Sequence, residues 1–122
     1  IYYIVDISKE DFMVTIDYNV LQVKELILKT SNEIGLRISK VVAFGSRIKG
    51  TSNKYSDYDF LITTKESNSI HKNMSYSHKL RLALAKSGYD VDLIIVSEEE
   101  AAEGKIQIGS FIREAFSEGM EL

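Results

Sequence analysis

Two short apolar runs, and what sits at their facing ends, constrain this chain more than anything else in it. Ile38 to Phe44 is a buried strand whose β character comes from Val41, Val42 and Phe44, and it runs into Gly45-Ser46-Arg47. Tyr58 to Thr63 is a second, largely apolar strand of interior type, and it opens on Ser56-Asp57-Tyr58-Asp59. Ten residues separate Ser46 from Asp57. A glycine turn leaving one strand therefore answers a pair of acids entering another. In physical terms this is an anion cradle facing two carboxylates.

The remaining elements follow from periodicity. Asn19 to Ile34 carries Val20, Val23, Ile27 and Ile34 on one stripe, widened by Leu21, Leu26 and Leu28, and Gly35 closes it as a helix. Ile70 to Ser87 holds Leu80, Leu82, Ala83 and Leu84 with basic residues between them and ends at Gly88. Val91 to Val96 is a third strand after the Gly88-Tyr89-Asp90 turn. Ser97 followed by Glu98, Glu99 and Glu100 has the form of an N-cap and an acidic first turn. Gly109 to Glu118 reads as a closing helix with Phe111, Ile112, Ala115 and Phe116 inward. Gly45-Ser46 starts a short helix or tight turn ending near Gly50, and Thr51 to Ser56 is polar loop. Ile1 to Ile7 reads as an edge strand or part of a partner surface.

That order of elements predicts an α+β (α/β) fold, a small mixed β-sheet flanked by helices. The length of 122 residues and the lack of proline, linker or repeat predict one domain over residues 1–122, with residues 1–16 an N-terminal extension of unassigned structure. The 44% apolar content is enough for a core, while no apolar run nears the roughly 20 residues that cross a bilayer. Ile1-Tyr2-Tyr3-Ile4-Val5 carries neither an initiator Met nor a basic leader and reads as a trimmed start rather than a secretory signal. Without cysteine, disulfides and thiolate metal sites are excluded, and a cytoplasmic setting is expected.

A net charge of −3 argues against strong nucleic-acid binding. Its distribution says more. Between Glu33 and Asp57 lie five cations (Arg37, Lys40, Arg47, Lys49, Lys54) and no acid, while Glu98 to Glu121 holds seven acids against Lys105 and Arg113. Such a basic stretch is ordinarily a solvated face, yet this one overlaps the Gly-Ser turn.

The candidate site is built from those pieces. Asp57 and Asp59, two apart on a strand, point to one face with Cβ atoms roughly 6.5–7 Å apart. Acids are poor strand formers, so two of them opening an apolar run call for compensating cations. Hard oxygen donors without His or Cys favour Mg²⁺ or Mn²⁺, with remaining ligands from water and phosphate. Asp92, in Asp90-Val91-Asp92-Leu93-Ile94-Ile95-Val96, is an acid amid a buried strand; if that strand neighbours the first pair, it completes a three-acid metal cluster. It would then ligate the catalytic metal and help activate an attacking hydroxyl. Asp90 shares its parity but sits in the turn, as a cap. Gly45 lets backbone approach a ligand closely, Ser46 adds a hydroxyl and an amide, and Arg47 and Lys49 can neutralise phosphates. A triphosphate with divalent metal suits this set. His71 and His78, seven apart on one helix, read as solvated or partner-facing. Tyr55, Tyr58, Tyr76 and Tyr89 read as packing residues, Tyr58 facing away from Asp57. Arg81 reads as a surface residue, with a phosphate contact as the alternative.

Gly45-Ser46, ten residues, Asp57-x-Asp59 and the later acid strand at Asp92 resemble the nucleotidyltransferase superfamily that includes DNA polymerase beta, and in particular its minimal nucleotidyltransferase branch. The resemblance covers roughly Val41 to Val96. Gly45-Ser46-Arg47-x-Lys49-Gly50 resembles the glycine-bounded turn of that branch, and Ile108 to Ala115 with Glu118-Gly119 resembles its C-terminal tail. The resemblance implies a polymerase beta palm-like sheet, two Mg²⁺ ions and transfer of a nucleoside monophosphate from a triphosphate. It implies that Gly45 and Ser46 bind the triphosphate, Asp57 and Asp59 hold the metals, and Asp92 assists the nucleophile. ATP is the expected donor. A chain this short has no room for an acceptor domain, so the acceptor comes from another chain. Resemblance to minimal nucleotidyltransferases paired with HEPN-family toxins implies a tyrosine of such a partner, and hence an antitoxin role. Two other readings stand beside it: a non-catalytic antitoxin or binding module that masks its partner by contact, and an enzyme for a small acceptor such as an aminoglycoside hydroxyl. The apolar closing helix and aromatic start also allow a homodimer or hetero-oligomer.

Overall fold

The computed structural model describes residues 2–6, 13–45, 57–104 and 119–122 of the chain. Strand β1 (Tyr2–Asp6) pairs antiparallel with β2 (Met13–Asp17) in a sheet of their own, from Tyr2 opposite Asp17 to Asp6 opposite Met13. The strand expected near the start thus exists, but it lies at no edge of the main sheet. Helix α1 (Tyr18–Ile34) follows directly.

The main sheet is built from β3 (Ile38–Phe44), β4 (Tyr58–Thr64), β5 (Val91–Ser97) and β6 (Met120–Glu121), in the spatial order β5-β4-β3-β6. It is mixed: β3 is antiparallel to β4 and to β6, whereas β4 and β5 run parallel. The parallel pair needs a crossover, and helix α2 (Ile70–Lys86) supplies it. Helix α3 (Glu98–Gly104) leaves the end of β5.

Strand alternation splits the core in two. Tyr58, Phe60 and Ile62 of β4, with Val41 and Ala43 of β3 and Leu93 and Ile95 of β5, meet Val20, Val23 and Ile27 of α1 and Leu80 and Leu84 of α2. The opposite face carries Val42, Phe44, Leu61 and Val96, covered by Ala101 of α3. Thr63 is buried and exchanges a 2.7 Å hydrogen bond with Ser39, so its hydroxyl costs little there.

Local chemistry sets the helix ends. Gly35 is left-handed at φ 79°, and the N–H of Leu36 returns to the Ser31 carbonyl at 2.8 Å, which is the closing bond of a Schellman turn. Ser69 accepts from the N–H of Lys72 at 3.1 Å and starts α2. Ser97 Oγ accepts from the N–H of Glu100 at 3.1 Å, while the Glu100 carboxylate accepts from the N–H of Ser97 at 3.2 Å, a reciprocal capping box.

Some expected inward positions face outward. Leu28 on α1 and Leu82 on α2 are exposed, because each lies beyond the arc its helix presents to the sheet. Strand β6 has no counterpart in the sequence reading. The expected turn at Gly45–Gly50, the loop from Thr51 to Ser56 and the helix from Gly109 to Glu118 lie outside the described residues, apart from Gly45 itself.

Candidate functional site

The end of β3 and the starts of β4 and β5 meet at one end of the sheet. In the antiparallel register Phe44 pairs with Asp59, and in the parallel register Asp59 pairs with Asp92. Neighbouring strands lie about 4.8 Å apart, so the backbones of Asp59 and Asp92 are immediate neighbours. Asp59 shares its face with Leu61, and Asp92 shares its face with Val96, both on the side away from α1 and α2. The adjacency expected of the third acid strand is therefore present.

Gly45 completes the corner. Its φ of 79° suits a residue without Cβ. A Cβ built there would lie 3.1 Å from Asp59 Cγ and closer still to Oδ2. The space a side chain would fill is thus the space that the Asp59 carboxylate occupies. Asp59 is half-buried, whereas Asp57, one residue ahead of β4, is exposed. Because Asp57 precedes the strand, the pleat alone does not orient it. Ser46, Arg47 and Lys49 lie outside the described residues.

Asp92 departs from its expected setting. Strand β5 is at the edge of the sheet, and the Asp92 side chain is 61% exposed rather than buried. Arg81 Nη2 on α2 donates to Asp92 Oδ1 at 2.9 Å and to the Leu93 carbonyl at 3.0 Å. The surface role expected of Arg81 holds for its exposure, but its partner is the candidate third acid. No spacing in the sequence announces this contact, which only the return of β5 alongside α2 creates. Asp90 contributes its main-chain carbonyl, which accepts from the N–H of Tyr58 at 3.0 Å and ties the starts of β4 and β5 together. Tyr58 is buried on the helix side, away from the acids, and meets the Tyr89 ring edge-on at 5.6 Å.

The basic stretch does not converge on the turn as a unit. Lys40 is exposed and lies 3.5 Å from Glu121 across β3 and β6. Arg37 lines a cavity of about 370 Å³ with Thr64, Lys65 and Lys72 at the opposite end of β3 and β4. Lys54 lies outside the described residues. His71 and His78 are exposed on α2.

Among the described residues, no group of three or more His, Cys, Asp or Glu side chains is arranged to hold a metal ion. The donor chemistry nonetheless fits a hard divalent cation: carboxylate oxygens on adjacent strands, one of them seated against a glycine, with no thiolate in the chain. Asp57, Asp59 and Asp92 are the groups that would hold it, Asp92 with one oxygen accepting from Arg81.

Comparison with known proteins bears on the fold and the family. Among solved structures, the chain is similar to a toxin–antitoxin complex with AMP-PNP, at TM-score 0.55 and 19% identity over 80% of this chain and 70% of that one. It is also similar to a mutant of the toxin–antitoxin complex MntA–HpeT, at TM-score 0.53 and 21% identity over 81% and 70%. A third likeness is to a tri-AMPylated Shewanella oneidensis HEPN toxin in complex with MNT antitoxin, at TM-score 0.50 and 17% identity over 84% and 70%. At these identities the likeness is one of fold. No helix among the described residues is long and apolar enough to cross a membrane. No curated protein matches the chain. The profile of the family described as Polymerase beta, Nucleotidyltransferase matches residues 22–112, a span that takes in Gly45, Asp59 and Asp92 on their three strand ends, and the chain belongs to that family.

Proposed function

We propose that this chain transfers AMP from ATP to a tyrosine hydroxyl of a HEPN-family toxin partner, with Mg²⁺, and so acts as its antitoxin. The observation that carries the reading is the register pairing Asp59 with Asp92 at the corner where Gly45 leaves β3. Family membership supports a nucleotidyl transfer, and structural likeness to toxin–antitoxin complexes, one with AMP-PNP and one with an AMPylated HEPN toxin, supports the donor and the partner kind.

In this reading Gly45 and Ser46 line the triphosphate, and Arg47 and Lys49 balance its charge. Asp57 and Asp59 would hold two Mg²⁺ ions, with Mn²⁺ able to substitute, and Asp92 would complete the set of acids. Bound Mg²⁺ supplies neutralisation of phosphate charge and acidification of the acceptor hydroxyl. The acceptor oxygen forms a bond to the α-phosphorus as the bond from that phosphorus to the β-phosphate oxygen breaks. Pyrophosphate leaves, and the hydroxyl proton passes to the Asp92 carboxylate. Positioning and charge neutralisation carry such transfers, so a domain with three acids and a cationic turn has the needed parts.

The test is incubation of the purified chain with labelled ATP, Mg²⁺ and a HEPN-family partner, followed by mass measurement of the partner. A gain of one or more AMP groups on tyrosine is expected, lost in Asp57→Asn while partner binding persists. Neutralisation of the partner without nucleotide would establish masking by contact instead. Labelling of an aminoglycoside but no protein would establish the small-acceptor reading.

A further inference from the structure

Helix α2 runs beside the outer edge of the sheet, and two of its side chains reach that edge. Arg81 donates to the Leu93 carbonyl at 3.0 Å, and Asn73, eight residues earlier, donates to the Ile95 carbonyl at 3.4 Å. Residues two apart on an edge strand turn their carbonyls the same way, so α2 covers part of the row that an edge leaves unpaired. The guanidinium of Arg81 is therefore anchored on a neutral main-chain oxygen, whatever becomes of Asp92. From that anchor it also takes Asp92 Oδ1 at 2.9 Å.

Asp92 thus has two competing calls on its charge. Its register neighbour is Asp59, a like charge across one strand spacing, which by itself repels it. Arg81 offers the opposite charge, from the far side of the strand. A divalent cation between Asp59 and Asp92 would reverse the first effect and has to contend with the second.

We propose that Arg81 is the positioning residue for Asp92: it keeps the third acid at the sheet edge in the free protein, so that metal first binds Asp57 and Asp59 alone. Asp92 is released to the metal when the divalent cation that accompanies the donor triphosphate adds positive charge enough to outweigh the single exposed contact with Arg81. The proposal rests on the function proposed above and adds its order of assembly.

The test reads Mn²⁺ binding to the full chain without nucleotide, by electron paramagnetic resonance of the free ion. Arg81→Gln frees Asp92 and tightens Mn²⁺ binding about 2- to 5-fold, the scale of one exposed ion pair. Arg81→Lys keeps the charge and binds as the unaltered chain does. Asp92→Asn changes the affinity less than about 2-fold, because Asp92 is not yet a ligand, and it abolishes the gain in the double variant with Arg81→Gln. Asp59→Asn weakens binding about 10-fold or more, since loss of even an outer partner of a metal ligand costs about that much. Equal or weaker binding in a folded Arg81→Gln variant overturns the proposal. So does an Asp92→Asn loss as large as that of Asp59→Asn, a readout that stands even where Arg81→Gln fails to fold. If Asp59→Asn itself leaves Mn²⁺ binding unmoved, the site reading fails, and this proposal with it.

Discussion

Replacing Gly45 with alanine separates two costs that the structure superimposes there. The first is backbone: a residue with Cβ at φ 79° gives up about 1–2 kcal/mol in the left-handed region. The second is contact. The new methyl would stand 3.1 Å from Asp59 Cγ and nearer to Oδ2, so the carboxylate or β3 must move, an overpacking cost of about 1–3 kcal/mol. Gly35 provides the control, because it shares the φ of 79° but has nothing within 4 Å of a built Cβ. Both variants gain alike from a stiffer unfolded chain. Urea unfolding should therefore place Gly35→Ala about 1 kcal/mol below the unaltered protein and Gly45→Ala about 1–3 kcal/mol lower still. Should Asp59 swing aside instead, the stability gap narrows and the loss appears in Asp59-dependent Mn²⁺ binding. Equality of the two variants in both stability and metal affinity refutes the idea that Gly45 is small in order to seat that carboxylate.

Other substitutions probe the scaffold. Ser97→Ala removes one half of the capping box ahead of α3 and should lower stability by about 1 kcal/mol in the same urea titration. Phe60→Ala opens a void where a side chain 1% exposed sits between α1, α2 and the sheet, and should cost about 3–5 kcal/mol in the same titration. Lys40→Ala breaks an exposed contact of 3.5 Å with Glu121 and should change the unfolding free energy by less than about 0.5 kcal/mol.

Much of the scaffold was legible because each element announces both its period and its stop. The bounds of β3 follow from apolar β-formers that end in Gly45, and α1 and α2 stop where Gly35 and Gly88 permit a left-handed residue. Leu28 and Leu82 were misjudged because a wide leucine stripe does not say which of its margins meets the sheet. The exposure of Asp92 escapes the sequence for a related reason. An acid among Val91, Leu93, Ile94 and Ile95 looks interior, but an edge strand covered on one face by a helix shows the same apolar run. Only strand order separates the two cases, and strand order is a pairing property that no single run contains. Two residues of β6 leave no period to read. At the candidate site, Gly45, Asp57 and Asp59 are candidates because their signals are local, whereas the contact of Arg81 with Asp92 joins two elements and leaves no such signal.

The Arg81–Asp92 pair invites a structural explanation, and its energetics weigh against one. Its side chains are 47% and 61% exposed, a setting in which an ion pair contributes about 0–1 kcal/mol. Against that gain stands the like charge of Asp59 directly across β4 and β5, worth about 0.2–1 kcal/mol in the other direction. Asp92→Asn removes both effects and leaves an amide oxygen that can still accept from Arg81. The net change in folding stability should therefore stay within about 0.5 kcal/mol of zero. Leu93→Ala, one residue on and 1% exposed, should cost about 2–5 kcal/mol by comparison. Raising the salt concentration should shift the small Asp92→Asn difference further toward zero, since both exposed terms are screened. A carboxylate whose removal leaves the fold unmoved, placed beside another carboxylate against local preference, has no role in folding to set against the one proposed for Asp92. A measured loss above about 2 kcal/mol in Asp92→Asn would make the pair a structural clamp, and Asp92 could then not leave Arg81 to serve the transfer.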